Sequence, residues 1–297
     1  MHPPVRLIAI DVDGTLLSKV GGVVSPRNGR ALVAAGQAGV TVAIATGRRT
    51  AYTAPLLKDF NLRADMPLIT SNGAVLATLG GERLERSVLA PQVARALCTL
   101  LRPYGCLVFT FDRPGRAELV LEDLRSAEGR IALWIESNRN AIEVVSPLEN
   151  ALEDAEDVAD QPIQGMVAGS LAAMREAEAA ILSSPWSAFC ACVRTEYPAR
   201  DLAILDLLPV GVSKGVALER LAARLGVERA EVMAIGDNWN DLTMLEWAGQ
   251  AVLMGNAARE LKAHATTRGW KQAPPNDQDG VAVVIESALA KIPNAAL

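Results

Sequence analysis

Two aspartates follow the first apolar segment of the chain, at a spacing that could do chemistry. Asp11 and Asp13 come directly after residues 5–10, within the run Asp11-Val12-Asp13-Gly14-Thr15. Two residues apart on an extended backbone, their side chains leave the same side of a strand. Such a pair suits a hard cation with oxygen ligands, acid/base catalysis, or both. A turn with two solvated aspartates would show the same pattern, so the pair alone is a weak signal.

A second acidic pair stands at the end of another predicted strand. Asp237 and Asp241 follow the apolar segment 232–235 and open a helix. Ligands of open α/β sheets bind at the carboxyl ends of the strands, so both pairs can face one crevice. Carboxylates gathered there repel one another unless a divalent cation neutralises them. Capping of the following helix by Asp237 and Asn240 is the simpler explanation, but it does not explain why so many acids converge.

Two basic sites accompany the acids. Thr46-Gly47-Arg48 falls at a strand end and offers a hydroxyl, a flexible backbone and a guanidinium to a phosphate. Lys214 follows Ser213 at a predicted helix start, where a cation opposes the helix dipole. We therefore expect a negative charge close to Lys214. Taken singly, either basic residue is better explained as an ordinary solvated side chain, but together with the acids that explanation becomes poor.

The elements that must position these residues alternate between strand and helix at both ends of the chain. The first end has predicted strands at residues 5–10, 40–45 and 67–70, with helices from Pro26 and around residues 50–60. The other end has predicted strands at 232–235 and 251–254 and helices from Ser213, at 241–248 and at 280–290. Short apolar strands of this kind are typical of a parallel sheet buried on both faces. The pattern predicts an α/β, doubly wound parallel-sheet (Rossmann-like) core.

The middle of the chain has a different pattern of apolar residues. Alternating apolar segments at residues 107–111, 118–121, 189–195 and 202–208 indicate antiparallel strands, and helices are expected near 91–101 and 171–182. We interpret residues 84–208 as an inserted α+β cap domain. Residues 1–83 and 209–297 then form one discontinuous catalytic core.

Composition limits the possible partners. The 297 residues carry a formal net charge of −5 and no basic run longer than two residues. This argues against a nucleic-acid or anionic-membrane surface and leaves a small molecule as the expected partner. The uncharged stretch 31–47 is broken by glycines and polar residues, so it does not predict a membrane-spanning helix. Four cysteines without a metal-ligand pattern indicate reduced thiols and a cytoplasmic location.

Four motifs in order resemble those of the haloacid dehalogenase-like superfamily. They are Asp11-Val12-Asp13-Gly14-Thr15-Leu16, Thr46-Gly47-Arg48, Lys214, and Gly236-Asp237 through Asn240-Asp241. The long insert between the second and third motifs resembles that of the Cof-type (subfamily IIB) phosphatases. Further family-like signatures are Ser71-Asn72-Gly73-Ala74, Gly211 to Gly215, Met254-Gly255-Asn256-Ala257 and Asp279-Gly280-Val281.

The resemblance implies a mechanism that fits the residues. Asp11 would attack phosphorus in line and become an aspartyl-phosphate, while Asp13 would protonate the leaving oxygen and then activate water. The resemblance also implies Mg²⁺ held by the Asp11 carboxylate, the Asp13 main-chain carbonyl and Asp237, with Asp241 in support.

The remaining implied roles concern the phosphate. Thr46 and Lys214 would bind phosphoryl oxygens, Lys214 would also restrain Asp11, and Asn240 would assist. Gly47, Arg48 and Asn72 complete the expected substrate-binding set.

The leading hypothesis is a Mg²⁺-dependent phosphatase, a phosphoric monoester hydrolase acting on small phosphorylated metabolites such as sugar phosphates. A phosphomutase or phosphotransferase of the same superfamily is an alternative, as is a non-catalytic phospholigand-binding protein. The sequence names neither the substrate, nor the selectivity residues of the cap, nor the oligomeric state.

Overall fold

The chain forms two compact units in a computed structural model that describes residues 3–18, 22–113, 115–124, 129, 131–152 and 160–291. The first unit is Met1–Glu85 with Ser213–Leu297, and the second is Arg86–Val212. Every residue to which the sequence assigns chemistry lies in the first unit.

The described strands and α-helices are numbered in chain order. The strands are β1 (Leu7–Ile10), β2 (Thr41–Ala45), β3 (Pro67–Thr70), β4 (Val75–Thr78), β5 (Arg83–Arg86), β6 (Leu107–Thr110), β7 (Leu119–Leu121), β8 (Ile142–Val144), β9 (Gln164–Gly169), β10 (Cys190–Tyr197), β11 (Leu202–Pro209), β12 (Val232–Gly236), β13 (Gln250–Leu253) and β14 (Lys271–Gln272). The helices are α1 (Pro26–Gln37), α2 (Thr50–Thr53), α3 (Pro91–Leu101), α4 (Ala132–Asn138), α5 (Leu171–Leu182), α6 (Lys214–Leu225), α7 (Leu242–Trp247), α8 (Arg259–Arg268) and α9 (Gly280–Leu289). Within the described residues, none of these helices has both the length and the apolar content needed to cross a membrane.

The first unit is built on an eight-stranded sheet in the order β14-β13-β12-β1-β2-β3-β4-β5. The six strands from β14 to β3 run parallel, and β4 returns antiparallel to β3. Strand β1 lies between β12 and β2, with Leu7 in register with Val232 on one side and Thr41 on the other. The predicted doubly wound α/β class is confirmed.

Both faces of this sheet are covered by helices, which explains its unbroken apolar strands. Leu7 and Ala9 belong to a buried cluster with residues of α6, α7 and α8, whereas Ile8 and Ile10 belong to one with residues of α1 and α9. Successive residues of a strand point to opposite faces, so a strand buried on both sides needs an apolar residue at every position.

Helix ends follow the expected capping chemistry. The Ser25 hydroxyl accepts a hydrogen bond from the Asn28 amide in front of α1, with Pro26 in the first turn. Ser213 caps α6 in the same way, and Gly226 ends that helix in the left-handed region at φ 61°.

One predicted helix is shorter than expected. The helix predicted around residues 50–60 is limited to α2, which passes into a 3₁₀ turn at Ala54–Leu57. Pro55 lies in that turn, and a proline removes the N–H that an α-helix would use there.

The second unit contains a six-stranded sheet in the order β10-β11-β9-β6-β7-β8. All neighbours are antiparallel except β7 and β8. Residues of α3 and α5 belong to the buried cluster on one face, and Ile131 and Ile135 belong to the cluster on the other. The antiparallel strands and the two helices predicted for the middle of the chain are present.

Candidate active site

The candidate residues lie where parallel strands of the first unit end. Asp11 follows β1, Thr46 follows β2 and Asp237 follows β12. The first residue after each strand stays bonded to the neighbouring strand, since the Asp11 amide donates to the Ile235 carbonyl of β12 and the Thr46 amide donates to the Ile69 carbonyl of β3. The sheet therefore brings residues distant in sequence to one edge.

A buried lysine joins two of the acids. The Lys214 Nζ donates to Asp11 Oδ1 at 2.6 Å and to Asp241 Oδ1 at 2.7 Å. Lys214 is 1% exposed, Asp11 4% and Asp241 0%. Charges this deep are stable only when paired and hydrogen-bonded. The negative charge expected near Lys214 is thus supplied by two carboxylates.

Close backbone packing positions Lys214. It is the first residue of α6, and the next residue, Gly215, donates its amide to the Thr243 hydroxyl at 3.1 Å. A Cβ at Gly215 would lie 2.5 Å from the Thr243 carbonyl oxygen. Glycine is therefore required for α6 to approach the segment that carries Asp241.

Asp241 uses both carboxylate oxygens within the protein. Its Oδ1 accepts from Lys214, and its Oδ2 accepts from the backbone amides of Asp237 and Asn238 at 2.9 and 3.0 Å. Asp241 thereby shapes the turn that presents Asp237. The supporting role that the sequence assigns to Asp241 at a metal site stays a prediction.

Asp237 faces the loop that follows β1. The Thr15 hydroxyl donates to Asp237 Oδ1 at 3.0 Å. Gly14 lies against the other oxygen in the left-handed region at φ +84°, and a Cβ there would come within 2.3 Å of Asp237 Oδ2. Any other residue at position 14 would displace the Asp237 carboxylate.

The acidic group has the composition of a site for a hard cation. One carboxylate oxygen each from Asp11, Asp237 and Asp241 lies within 4.8 Å of the others. Oxygen-only donors are those that Mg²⁺ and Ca²⁺ prefer. Two buried carboxylates and one half-buried carboxylate, with a single lysine among them, carry excess negative charge, which a divalent cation would neutralise. The residues present therefore fit the implied Mg²⁺.

Burial and the same excess charge shift Asp11 and Asp237 toward their neutral forms in the metal-free protein. Burial, followed by the Asp241 charge, raises the pKa of Asp11 to about 7, although Lys214 acts in the opposite direction. Burial and the charges of Asp11 and Asp241 raise the pKa of Asp237 well above its ordinary value. Burial alone would lower the pKa of Lys214, but the two carboxylates outweigh it and raise that pKa.

Arg48 binds Asp13. Its Nε donates to Asp13 Oδ2 at 2.7 Å and its Nη2 donates to Oδ1 at 2.6 Å, a bidentate pair. The guanidinium carbon also lies 5.1 Å from the centre of the Tyr52 ring. The sequence assigned Arg48 to the substrate, whereas in the structure it pairs with the expected general acid/base.

The remaining predicted substrate ligands form a second group. Thr46 is buried, and its hydroxyl accepts from the Arg48 amide at 3.1 Å. Asn72 is buried in the left-handed region at φ 54°, and its side-chain oxygen lies 3.5 Å from the Asn240 amide nitrogen. A Cβ at Gly47 would come within 3.2 Å of the Asn72 amide group. These four residues bring hydroxyl and amide groups together.

Two polar residues at the site had no assigned role in the sequence. Thr15 lies inside the first motif, and Asn256 lies in the signature Met254-Gly255-Asn256-Ala257. The Asn256 Nδ2 donates to the Gly14 carbonyl at 2.8 Å and lies 3.3 Å from Asp237 Oδ2. The sequence could have indicated Asn256 by its place after the predicted strand 251–254. That strand is β13, which neighbours β12 in the sheet.

Curated relatives span most of the chain. The 5-amino-6-(5-phospho-D-ribitylamino)uracil phosphatase YwtE of Bacillus subtilis is 28% identical over 96% of this chain and 98% of its own length. The HMP-PP phosphatase of Cronobacter sakazakii is 30% identical over 87% of this chain and 87% of its own.

Solved structures and a family model agree with these relatives. A haloacid dehalogenase-like hydrolase from Bacteroides thetaiotaomicron has a TM-score of 0.74 and 26% identity over 95% of this chain and 99% of its own. The subclass IIB sugar phosphatase BT4131 has a TM-score of 0.74 and 25% identity over 95% of this chain and 98% of its own. The model of the haloacid dehalogenase-like hydrolases matches residues 8–285. The chain therefore belongs to the haloacid dehalogenase-like hydrolases, as the four ordered motifs predict.

Proposed function

We propose that this phosphatase of the haloacid dehalogenase-like family hydrolyses small phosphomonoesters with Mg²⁺, through an aspartyl-phosphate on Asp11. The observation that carries the proposal is the placement of Asp11 at the end of the central strand, bonded to Lys214 at 2.6 Å and within reach of Asp237. A carboxylate held by a buried lysine is fixed in direction, as a nucleophile for in-line attack must be.

Two chemical steps follow from this assignment. Lys214 holds Asp11 Oδ1, so we assign Oδ2 to attack phosphorus. The bond from phosphorus to the leaving oxygen breaks as the new bond to Asp11 forms, and Asp13 gives that oxygen a proton. Water then attacks the same phosphorus, Asp13 takes the proton of the water, and the Asp11 carboxylate is released with free phosphate.

Arg48 takes part in this cycle through Asp13. Both Asp13 oxygens accept from the Arg48 guanidinium in the structure. To donate a proton to a leaving oxygen, Asp13 must turn at least one oxygen away from Arg48. A bound phosphoryl group offers the guanidinium an alternative anionic partner. We therefore assign Arg48 to both Asp13 and the substrate.

We assign the Mg²⁺ ligands to the Asp11 carboxylate, the Asp13 main-chain carbonyl and Asp237, with Asp241 in support. When bound, the ion would neutralise the phosphoryl oxygens and the clustered acids. Thr46, Asn72 and Asn240 are assigned to phosphoryl oxygens. Residues 84–208, the insert defined by the sequence boundaries, are assigned as the cap domain.

The names of the relatives support the proposed substrate class. Two that span most of the chain are named as phosphatases of small phosphorylated molecules, one of a phosphoribitylamino-uracil and one of HMP-PP. We propose a small phosphorylated metabolite for this chain as well, with sugar phosphates as the first class to examine. A cytoplasmic location remains a prediction from the cysteine content.

A phosphate-release screen tests the proposed function. The purified protein would be incubated with sugar phosphates, nucleotides and cofactor phosphates, with Mg²⁺ or with EDTA. We expect free phosphate with at least one group of substrates in Mg²⁺ and none in EDTA. Phosphate that moves between positions of an organic product without release would favour the phosphomutase alternative. Binding without turnover across the screen would favour the phospholigand-binding alternative.

Mg²⁺ binding is expected to release protons, more at pH 6 than at pH 8. The pKa of Asp11 is raised to about 7 and that of Asp237 is also raised. Below pH 7 an ion must displace protons from these carboxylates, so the apparent affinity should increase as the pH rises through that range. Titration calorimetry in two buffers of different ionisation enthalpy measures the protons released. Equal heats in both buffers at pH 6 would contradict this expectation.

The same shifts affect the stability of the metal-free protein. Raised carboxylate pKa values mean that the folded protein binds more protons than the unfolded chain between about pH 4 and 7. Stability in EDTA should therefore decrease as the pH rises through that window. Mg²⁺ should reduce this decrease, because it stabilises the ionised carboxylates.

A further inference from the structure

Asn256 uses both ends of its side-chain amide at the edge of the acidic group. Its Nδ2 faces two oxygens, the Gly14 carbonyl at 2.8 Å and Asp237 Oδ2 at 3.3 Å. Its Oδ1 accepts from the Asn276 amide at 2.9 Å. The backbone amide of Asn276 is only a donor, which fixes which end of the Asn256 side chain is the oxygen.

These bonds connect three loops that the sheet alone leaves separate. Gly14 belongs to the loop after β1, Asp237 to the loop after β12, and Asn276 to a segment after β14. Asn276 is itself buried, and its Nδ2 donates to the Leu17 carbonyl at 2.8 Å. The loop after β1 is therefore held at Gly14 by Asn256 and at Leu17 by Asn276.

The geometry gives this connection a consequence for the metal site. Gly14 lies against Asp237 so closely that a Cβ would meet Oδ2 at 2.3 Å, and Asn256 bonds to both partners of that contact. Anchoring the Gly14 carbonyl also fixes the left-handed turn that follows Asp13. The direction of the Asp13 main-chain carbonyl depends on that turn.

We infer that Asn256 is a positioning residue for the divalent cation, acting through Asp237 and through the Gly14 turn. The inference rests on the proposed Mg²⁺ site and adds a residue that lies outside the four motifs. Groups that orient metal ligands typically change metal affinity by about 10- to 100-fold when they are removed. Asn256 is exposed at the rim of the site, so its removal takes no side chain out of the core.

Calorimetric titration of Mg²⁺ into the full chain tests the inference without measuring activity. The variants are Asn256→Ala and Asn256→Leu, the second keeping the branched shape of the side chain without its polar atoms. Asn61→Ala is the matched control. Asn61 is an exposed asparagine in the same unit, and it precedes the amino end of β3, whereas the candidate site lies at the carboxyl ends of the strands. Asp237→Ala gives the effect of losing a ligand itself.

We expect the Mg²⁺ dissociation constant to rise about 10- to 100-fold in both Asn256 variants and to stay at the parent value in Asn61→Ala. The loss of these hydrogen bonds should lower the melting temperature in EDTA only slightly, so that both variants are folded at the titration temperature and the change in affinity reports positioning. Parent-like Mg²⁺ affinity in folded Asn256 variants would overturn this inference alone. No Mg²⁺ binding by the parent chain would overturn the proposed metal site and this inference together.

Discussion

The Asp11→Asn substitution should abolish phosphate release, lowering the rate by about four to six orders of magnitude. The amide nitrogen of asparagine is not a nucleophile toward phosphorus, so no aspartyl-phosphate can form. The substitution keeps the size of the side chain and leaves Lys214 bonded to Asp241 at 2.7 Å. The loss should therefore be chemical, and the fold should be retained.

Stability provides an independent measurement on the same variant. Because the pKa of Asp11 is raised to about 7, its ionised form is disfavoured in the metal-free fold. At pH 8 in EDTA the neutral side chain of Asp11→Asn avoids that unfavourable ionisation, and the variant should unfold at no lower temperature than the parent.

The control is Asp65→Asn, which changes an exposed aspartate paired with Arg63 on the surface. It should release phosphate at the parent rate. Phosphate release by Asp11→Asn at a comparable rate would remove Asp11 from the role of nucleophile.

Lys214→Met is expected to produce the largest loss of stability among single changes at the site. Lys214 is 1% exposed and touches two carboxylates, of which Asp241 is completely buried. Methionine fills similar volume but leaves those charges without their cation. Removal of one partner from a buried ion pair typically costs about 3–5 kcal/mol. Urea unfolding in EDTA at pH 8 measures the change as a lower transition midpoint.

Two comparisons test whether charge causes that loss. Saturating Mg²⁺ should recover part of the stability of Lys214→Met, because a divalent cation can take over the neutralisation. Adding Asp11→Asn should also recover part of it, since one of the unpaired charges is then gone. Lys58→Met, at an exposed position, should unfold like the parent. If Lys214→Met were as stable as the parent, the buried charges would not depend on this lysine.

The sequence predicted the strands and helices of the first unit because the spacing of apolar residues within each element is a local feature of the chain. A strand such as β1, with four buried residues in succession, can only lie inside a sheet covered on both faces. Capping residues such as Ser25 and Ser213 mark helix starts within one turn. The helix predicted around residues 50–60 was longer than the observed α2, since its apolar pattern gave no sign that Pro55 would end the α-helix.

The sequence predicted which residues of the site lie close together, but it did not predict their hydrogen-bond partners. Strand ends and the ordered motifs are enough to bring Asp11, Lys214 and Asp237 together. The hydrogen-bond partner of each side chain could not be predicted, because it depends on rotamers and on contacts between segments that are distant in the sequence. The bidentate pair between Arg48 and Asp13 and the bonds of Asn256 were therefore visible only in three dimensions.

The central position of β1 has a consequence for how the protein is made. Arg6, beside β1, donates to Glu231, which lies 225 positions further along the chain. At a synthesis rate of about 5–20 residues per second, roughly 10 to 45 seconds separate the two on the ribosome. Throughout that interval one edge of β1 lacks β12, although β2 becomes available on the other edge once residues 41–45 are made. The strand that precedes Asp11 is thus translated long before its partner β12, so a nascent chain holds the proposed nucleophile before the strand beside it exists.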